Sequence, residues 1–328
     1  MRPALRLLLL AAAAALALLV GVRVGAVPLS VREVVDGVRG AGDPATVAIV
    51  RGLRLPRAVL AALVGGSLSA SGATFQALVR NPLAEPYIMG VSGGAAVGAV
   101  AAIVLTGSLA SGGVVALFAF LGAVLAVVLV FRIAASVGRT LDTRILLLAG
   151  VVAGAFFNAC ILLALTFAEA DAFRSAMFWI MGSLSGATWR SIGVLAAAFV
   201  PAVVVLFTLA RPLDLLAVGE ETAAYLGTRV ERTKLLAYGT ASLLTAASVA
   251  VSGVIGFVGL VVPHVVRMLW GGGHRFLLPA SLLLGAAFLV LADALARTVA
   301  APTELPVGVV TAFVGVPFFV YLLRRRTS

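Results

Sequence analysis

Charge is what this sequence lacks most. Of its 328 residues only 11% are Asp, Glu, Lys or Arg, while 62% are hydrophobic. Polar surface so scarce cannot cover a globular core, and a mean hydropathy of +1.17 lies far outside the soluble range. The one cysteine, Cys160, excludes an internal disulfide framework. Two histidines, His264 and His274, without a Cys/His cluster, leave no structural metal site. The one lysine, Lys234, stands in RTKLL and not in G-x-x-x-x-G-K-[ST], so a Walker phosphate loop is excluded. No nucleophile–base set is evident, which argues against an enzyme and leaves no catalytic residue to name. The net charge of +11 does not point to nucleic acid, because the arginines are scattered between apolar runs as membrane anchors are.

What is present is a series of long apolar runs. Bounded by charge, Pro or Gly, they fall at about 5–26, 57–79, 91–107, 113–133, 144–168, 191–210, 234–252, 254–270, 278–297 and 306–323. A spanning helix needs about 20 apolar residues, so the expectation is an all-α membrane protein of about ten transmembrane helices, one transmembrane domain over 1–328. The opening MRPALRLLLLAAAAALALLVGVRVGA has the outline of a signal peptide, but its run is long enough to cross and reads as an uncleaved first span. Ten spans place both termini on one side, and that side holds 15 of the 24 Lys and Arg. The positive-inside rule therefore places both termini in the cytoplasm.

Against this background GEETAAYLGTRVERTK, 219–234, is unusual. Six of its sixteen residues are charged. Glu220 and Glu221 fall in the first turn of a helix-forming stretch, where the helix dipole favours anions, and Gly227 is placed to end it. It lies in a cytoplasmic connection, about 211–233, between the sixth and seventh spans. A solvated connector is one reading; a short helix that fits a groove on a partner is the other, and its length and helical character favour the second.

Uphill movement of a solute needs energy. An ion-coupled secondary transporter would place ionisable groups deep in the bilayer. Here Asp293 and Arg297 can pair at i,i+4 near one span end, His264 follows a proline, and no carboxylate stands alone at a span centre. That argues for an external motor, with the secondary transporter as the alternative.

Several stretches resemble the FecCD-type permeases of ABC importers. RLPRAVLAALVGGSLSASGATFQALVRNPLAEPYIMGVSGGAAVGAV (54–100) carries the clearest likeness, and LLAVGEETAAYLG (215–227) resembles the family's cytoplasmic coupling region. GVIGFVGLVVPHVVRML (253–269), HRFLLPASLLLGAAFLVLADALAR (274–297) and ELPVGVVTAFVGVPFFVYLLRR (304–325) continue it in order. The resemblance implies a type II ABC importer permease in the cell (inner) membrane, working as a dimer with a second copy or a close paralogue. It implies two ATPase subunits that use ATP-Mg, with no cofactor bound by this chain, and an extracytoplasmic substrate-binding protein. Cargoes of the family are iron-siderophores, haem or cobalamin, and iron-siderophore is the default expectation.

Site roles follow from the same resemblance. Gly219, Glu220, Glu221, Ala224, Leu226 and Gly227 are expected to couple to the ATPase. Arg54, Arg57 and Arg297 are expected at an outer rim that receives acidic side chains of the binding protein, a pairing suited to the planar guanidinium; interfacial anchoring is the plainer reading. Asn81, Pro82 and Leu83 are expected at the cytoplasmic gate. RNPLAEP reads equally as a turn, since each proline disfavours helix at the residue before it, and the two readings are compatible. The GxxxG pairs Gly94/Gly98 and Gly150/Gly154 suggest close helix packing. The stretch 170–189 is too broken to span and suggests a re-entrant or interfacial helix, with Trp179 and Trp189 at headgroup depth.

Overall fold

Each of the ten apolar runs becomes one long helix in the computed structural model, which describes residues 3–25, 27–107, 111–137 and 142–327. These are α1 (Pro3–Arg23), α4 (Leu55–Leu78), α5 (Val91–Thr106), α6 (Gly112–Val137), α7 (Thr143–Thr166), α9 (Trp189–Thr208), α12 (Val230–Ser252), α13 (Val258–Trp270), α14 (His274–Ala296) and α15 (Val307–Thr327). No strand occurs among the described residues. Five further helices connect them: α2 (Val31–Arg39), α3 (Pro44–Ala48), α8 (Ala170–Ile180), α10 (Ala210–Val218) and α11 (Glu220–Tyr225). Six helices, α1, α6, α7, α9, α12 and α14, have the length and hydropathy to cross a membrane; α5, α13 and α15 contribute shorter apolar stretches.

Helix α4 is the axis of the fold. It packs on α14, α12, α13 and α9, and 19 of its 24 residues are buried. Its length is about 36 Å. The small residues that lower its hydropathy are what let neighbours approach. A methyl group at Gly65 would overlap the Gly285 carbonyl of α14, and one at Gly72 would overlap the Gly259 carbonyl of α13. Without a hydrophobic drive between helices in lipid, such backbone contact is a main source of cohesion. Buried hydroxyls on these helices bond back along their own turns, as Thr74 to Ala70 O (2.9 Å) and Ser248 to Leu244 O (2.8 Å).

The outer ring shows the complementary pattern. The most apolar windows of α1, α6, α7 and α9 are only 22–33% buried, with Leu8, Leu16, Leu125, Val152 and Val200 exposed. A surface so apolar requires hydrocarbon around it. Gly94 and Gly98 pack α5 against Gly122 and Phe118 of α6, so that GxxxG pair is a packing seam; Gly154 meets nothing within 4 Å, so the second pair is not a seam inside this chain.

Three local elements were not resolved by hydropathy. Residues 27–56 read as a loop, yet α2 forms there, closed by a Ser30/Glu33 capping box and by Gly40 at φ +80°. A wide π-type turn, Ile49–Arg54, then leads into α4. The eighth span begins at Val258 rather than 254, because 253–257 is unwound, with Gly253 (φ +68°) and Phe257 (φ +68°) in the left-handed region. The connection at about 211–233 holds two helices, α10 and α11, where one was expected.

Candidate coupling helix, gate and outer arginine cluster

The charged segment is built as a bracket. Helix α10 buries Leu213 and Leu216, Gly219 continues in extended backbone, and α11 follows with Ala223 as its buried residue. Gly227, at φ +82°, closes the end: its N–H reaches Ala224 O and that of Thr228 reaches Ala223 O. The two glutamates part company. Glu220 turns inward, its Oε2 2.8 Å from Lys234 Nζ on α12, while Glu221 is exposed. Ala224, Tyr225 and Leu226 are also exposed; with Val218 at 72%, Tyr225 at 90% and Leu226 at 62%, an apolar tip with one free carboxylate projects from the body.

The base of the bracket is fixed to α14. Asp214 Oδ1 accepts the His274 backbone N–H at 2.8 Å and lies 2.6 Å from His274 Nδ1. Burial pushes the Asp214 carboxyl up. The hydrogen bonds from the His274 ring and backbone, with the charges of His274 and Arg275, outweigh this and hold it below the ordinary carboxylate range.

The stretch 80–86, expected at a gate, forms a folded turn at the end of α4. Arg80 adopts φ +51°, and Asn81 Oδ1 accepts the Leu83 N–H at 3.0 Å. Asn81 is exposed, and Pro82 and Leu83 are half-buried. Two residues just beyond, Glu85 and Tyr87, make contacts that sequence reading missed. Glu85 Oε1 accepts the Phe257 N–H at 2.6 Å. The Tyr87 hydroxyl donates to Ile255 O at 2.8 Å and accepts the Ile255 N–H at 3.0 Å. The Ile255 N–H and carbonyl and the Phe257 N–H, freed by the unwinding of 253–257, are thereby satisfied, as polar backbone at membrane depth must be. The Phe257 ring lies directly on Gly315 of α15, where no side chain fits. The signals were a lone carboxylate between two turns and the glycine-rich GVIGF, but their pairing is a tertiary fact. Beside the break, Met181, Val254, Gly308, Ala312, Phe313 and Pro317 help line an apolar cleft of about 490 Å³. Helix α8 ends there: Gly182 lies against Val254, and Ser183 N–H bonds to Ser252 O. The broken 170–189 stretch is thus an inserted helix rather than a surface one at its C-terminal end.

Arg54, Arg57 and Arg297 come together, but not as the open basic rim implied by the resemblance. Arg54 is 8% exposed and donates to the Val22, Arg23 and Val27 carbonyls at the end of α1. Arg297, also 8% exposed, donates to Gly21 O and Val24 O and pairs with Asp293 at 3.0 Å. Arg57 holds Asp293 through Nε and Nη2, and its Nη1 lies 2.8 Å from Glu304, a residue with a half-exposed side chain. The reason is geometric: an unfilled helix C-terminus offers carbonyls, and guanidiniums nearby satisfy them before any partner arrives.

Comparison with known proteins agrees with this geometry. A family model for the FecCD transport family matches residues 10–325. The cobalamin import system permease protein BtuC of Halobacterium salinarum is 48% identical over 286 residues, covering 87% of this chain and 76% of that protein. The hemin transport system permease protein HmuU of Yersinia pestis is 40% identical over 279 residues, 84% of this chain and 82% of the relative. A solved inward-facing structure, described as a metal-chelate type ABC transporter, superposes with a TM-score of 0.87 at 30% identity over 97% of this chain and 98% of its own. The likeness to PsaBC from Streptococcus pneumoniae, TM-score 0.56 at 15% identity over 89% of this chain and 95% of that one, concerns the fold alone. With ten apolar helices around a small-residue core, a projecting charged bracket and a match along almost its whole length, the chain belongs to the FecCD transport family of multi-pass ABC importer permeases.

Proposed function

We propose that this chain forms half of the translocation pathway of an ATP-driven importer for a large metal chelate, paired with a second copy or a close paralogue. The observation that carries this reading is the projecting bracket α10–α11: an exposed apolar tip on a segment tied to the body through both its helices. Such an element fits a groove on each of two ATP-hydrolysing subunits, which take ATP-Mg, while this chain does no covalent chemistry. The bracket then faces the cytoplasm, in line with the basic bias of that side, and both termini lie there too.

Docking of a substrate-binding protein outside is part of the same reading. Arg54 and Arg297 hold the α1 terminus in place. Arg57 is the residue that engages an incoming carboxylate, by exchanging Glu304 for it. Asn81, Pro82 and Leu83 line the inner gate. The gate works against the break at 253–257, to which Glu85 and Tyr87 attach it.

For the cargo, we place cobalamin first, ahead of haem and of the iron-siderophore expected from the family at large. The reason is the 48% identity to a permease named for cobalamin import. The test is copurification from mild detergent followed by uptake in proteoliposomes with cyanocobalamin, haemin and ferrichrome in parallel. ATP-dependent accumulation of cyanocobalamin alone supports the full reading. Accumulation of another chelate corrects the cargo only, and solute movement by the permease without ATP or an ATPase overturns the importer.

A further inference from the structure

Asp214 and His274 join the bracket to a helix that runs the depth of the protein. Asp214 caps α14 from another element: its Oδ1 takes the first N–H of α14 and the imidazole Nδ1 together. An ionised carboxylate only accepts, so Nδ1 carries the proton; Nε2 is buried with no hydrogen-bond partner. Side chains longer than hydrogen are excluded beside it, since a Cβ at Gly273 would lie 2.7 Å from Asp214 Oδ2. The joint is therefore tight and directional.

From that joint α14 rises along α4, in backbone contact at Gly65/Gly285, and along α1, where a Cβ at Gly21 would lie 2.6 Å from Val290. At its far end Asp293, 1% exposed, holds both Arg57 and Arg297, and Arg297 holds the α1 carbonyls. A carboxylate thus ties α14 at each end, one to the bracket and one to the outer cluster. The bracket's second tie, Glu220–Lys234, enters α12 instead, whose far end is the break at Gly253.

Resting on the importer reading, we infer that Asp214 and His274 are positioning residues that make α14 a rigid lever, carrying displacement of the bracket to the outer arginine cluster. Glu220–Lys234 serves the pathway break by a separate route. ATP-driven motion then reaches the outer face through α14 and the gate through α12, so the two ends of the pathway can be uncoupled by different substitutions.

The test uses the whole complex with its ATPase in nanodiscs. Spin labels are placed at Ala217→Cys on the exposed side of α10 and at Val299→Cys just past α14, in a Cys160→Ser background. A second pair joins Val299→Cys to exposed Leu53→Cys ahead of α4. Distances are read with and without ADP-vanadate. The expected result is a nucleotide-dependent shift of the second pair in the parent, its loss in Asp214→Ala, and its return in Asp214→Asn, whose amide oxygen still caps His274 N–H. His274→Leu, which keeps the backbone cap and removes the ring contact, gives a partial shift and covers the case where Asp214→Ala does not fold. ATP turnover stays within about twofold of the parent in each. A shift unchanged in both Asp214→Ala and His274→Leu, or a parent complex that traps vanadate with no outer shift, overturns the lever and leaves the importer reading standing. A chain to which no ATPase binds overturns both.

Discussion

Glu220 Oε2 sits 2.8 Å from Lys234 Nζ, and the lysine side chain is only 5% exposed. The first residue of α11 therefore turns toward α12, with its side chain still 36% exposed, while its neighbour Glu221 faces away from it on the surface. Lys234 also lies 3.2 Å from Glu231, so two carboxylates share one buried ammonium.

The two glutamates should separate stability from coupling. Glu220→Lys brings a second cation against a buried one that keeps only Glu231 as its partner, and is expected to cost about 1.5 kcal/mol of stability. Glu221→Lys changes an exposed position and should stay within about 0.5 kcal/mol. If α11 docks on the ATPase, Glu221→Lys lowers copurification of that subunit while the detergent melting temperature holds. A normal melt for Glu220→Lys would contradict the inward strut.

At the outer cluster the prediction concerns Asp293 and Glu304. Asp293→Asn leaves Arg297 without its carboxylate partner and Arg57 with only the half-exposed Glu304, and should cost about 3 kcal/mol, read as a fall in melting temperature. Glu304 is half-exposed on one arm of Arg57, so Glu304→Gln should cost less than about 1 kcal/mol. If Arg57 receives the binding protein, the same change weakens the hold on Arg57 Nη1 and is expected to strengthen docking, measured by surface plasmon resonance on nanodiscs. Weaker docking would mean that Glu304 itself helps form the contact.

The spans were legible because twenty apolar residues have few other uses, and all ten helices begin within about four residues of the apolar run that announces them. Helix α13 starts four residues late, at Val258, after an unwound stretch whose glycines were visible but whose partners, Glu85 and Tyr87, lie some 170 residues earlier. Helix α2 carried a readable Ser30-x-x-Glu33 cap, but a nine-residue amphipathic helix has no spanning signal. The direction of Glu220 against Glu221 depends on α12, and the partners of Arg54 on the end of α1 some 30 residues before it. Residue type announced that these groups mattered; only packing decided whether they face in or out.

Glycine substitutions should rank by what a methyl group meets. Gly72→Ala drives a methyl group into the Gly259 carbonyl, so α4 and α13 must part, at about 2 kcal/mol. Gly154→Ala meets nothing within 4 Å and should stay within about 0.5 kcal/mol. Melting temperatures of the two variants in one detergent give the comparison. Equal losses would show that Gly154 is covered in the assembled dimer.

Acid should loosen the bracket through Asp214. Its folded pKa lies below the ordinary value near 4, so the stabilisation it brings is complete above that value and is lost as pH falls through the folded pKa. Asp214→Asn has no such titration. The difference in melting temperature between parent and variant should therefore be constant from about pH 7 to 5 and shrink below about pH 4. A difference that grows on acidification would reverse the assigned sign.

The last prediction concerns the pin between gate turn and break. The Phe257 N–H ends in the Glu85 carboxylate, 2.6 Å away, and no helix partner replaces that acceptor because α12 has already ended at Ser252. Removing it in Glu85→Ala leaves a polar N–H inside the protein, a loss of about 1.5 kcal/mol for a charge-assisted bond. Local opening that exposes this amide should become about tenfold more frequent, because exchange of a protected amide reports the free energy of its opening. Hydrogen exchange followed by mass spectrometry should show faster uptake in peptides covering 253–259 and little change in α4 or α14. Glu85→Gln, which keeps an acceptor oxygen, should recover most of the protection. Unchanged uptake in Glu85→Ala would mean that Tyr87 and the Phe257 ring on Gly315 hold the break without the carboxylate, and the gate turn would lose its direct hold on α13.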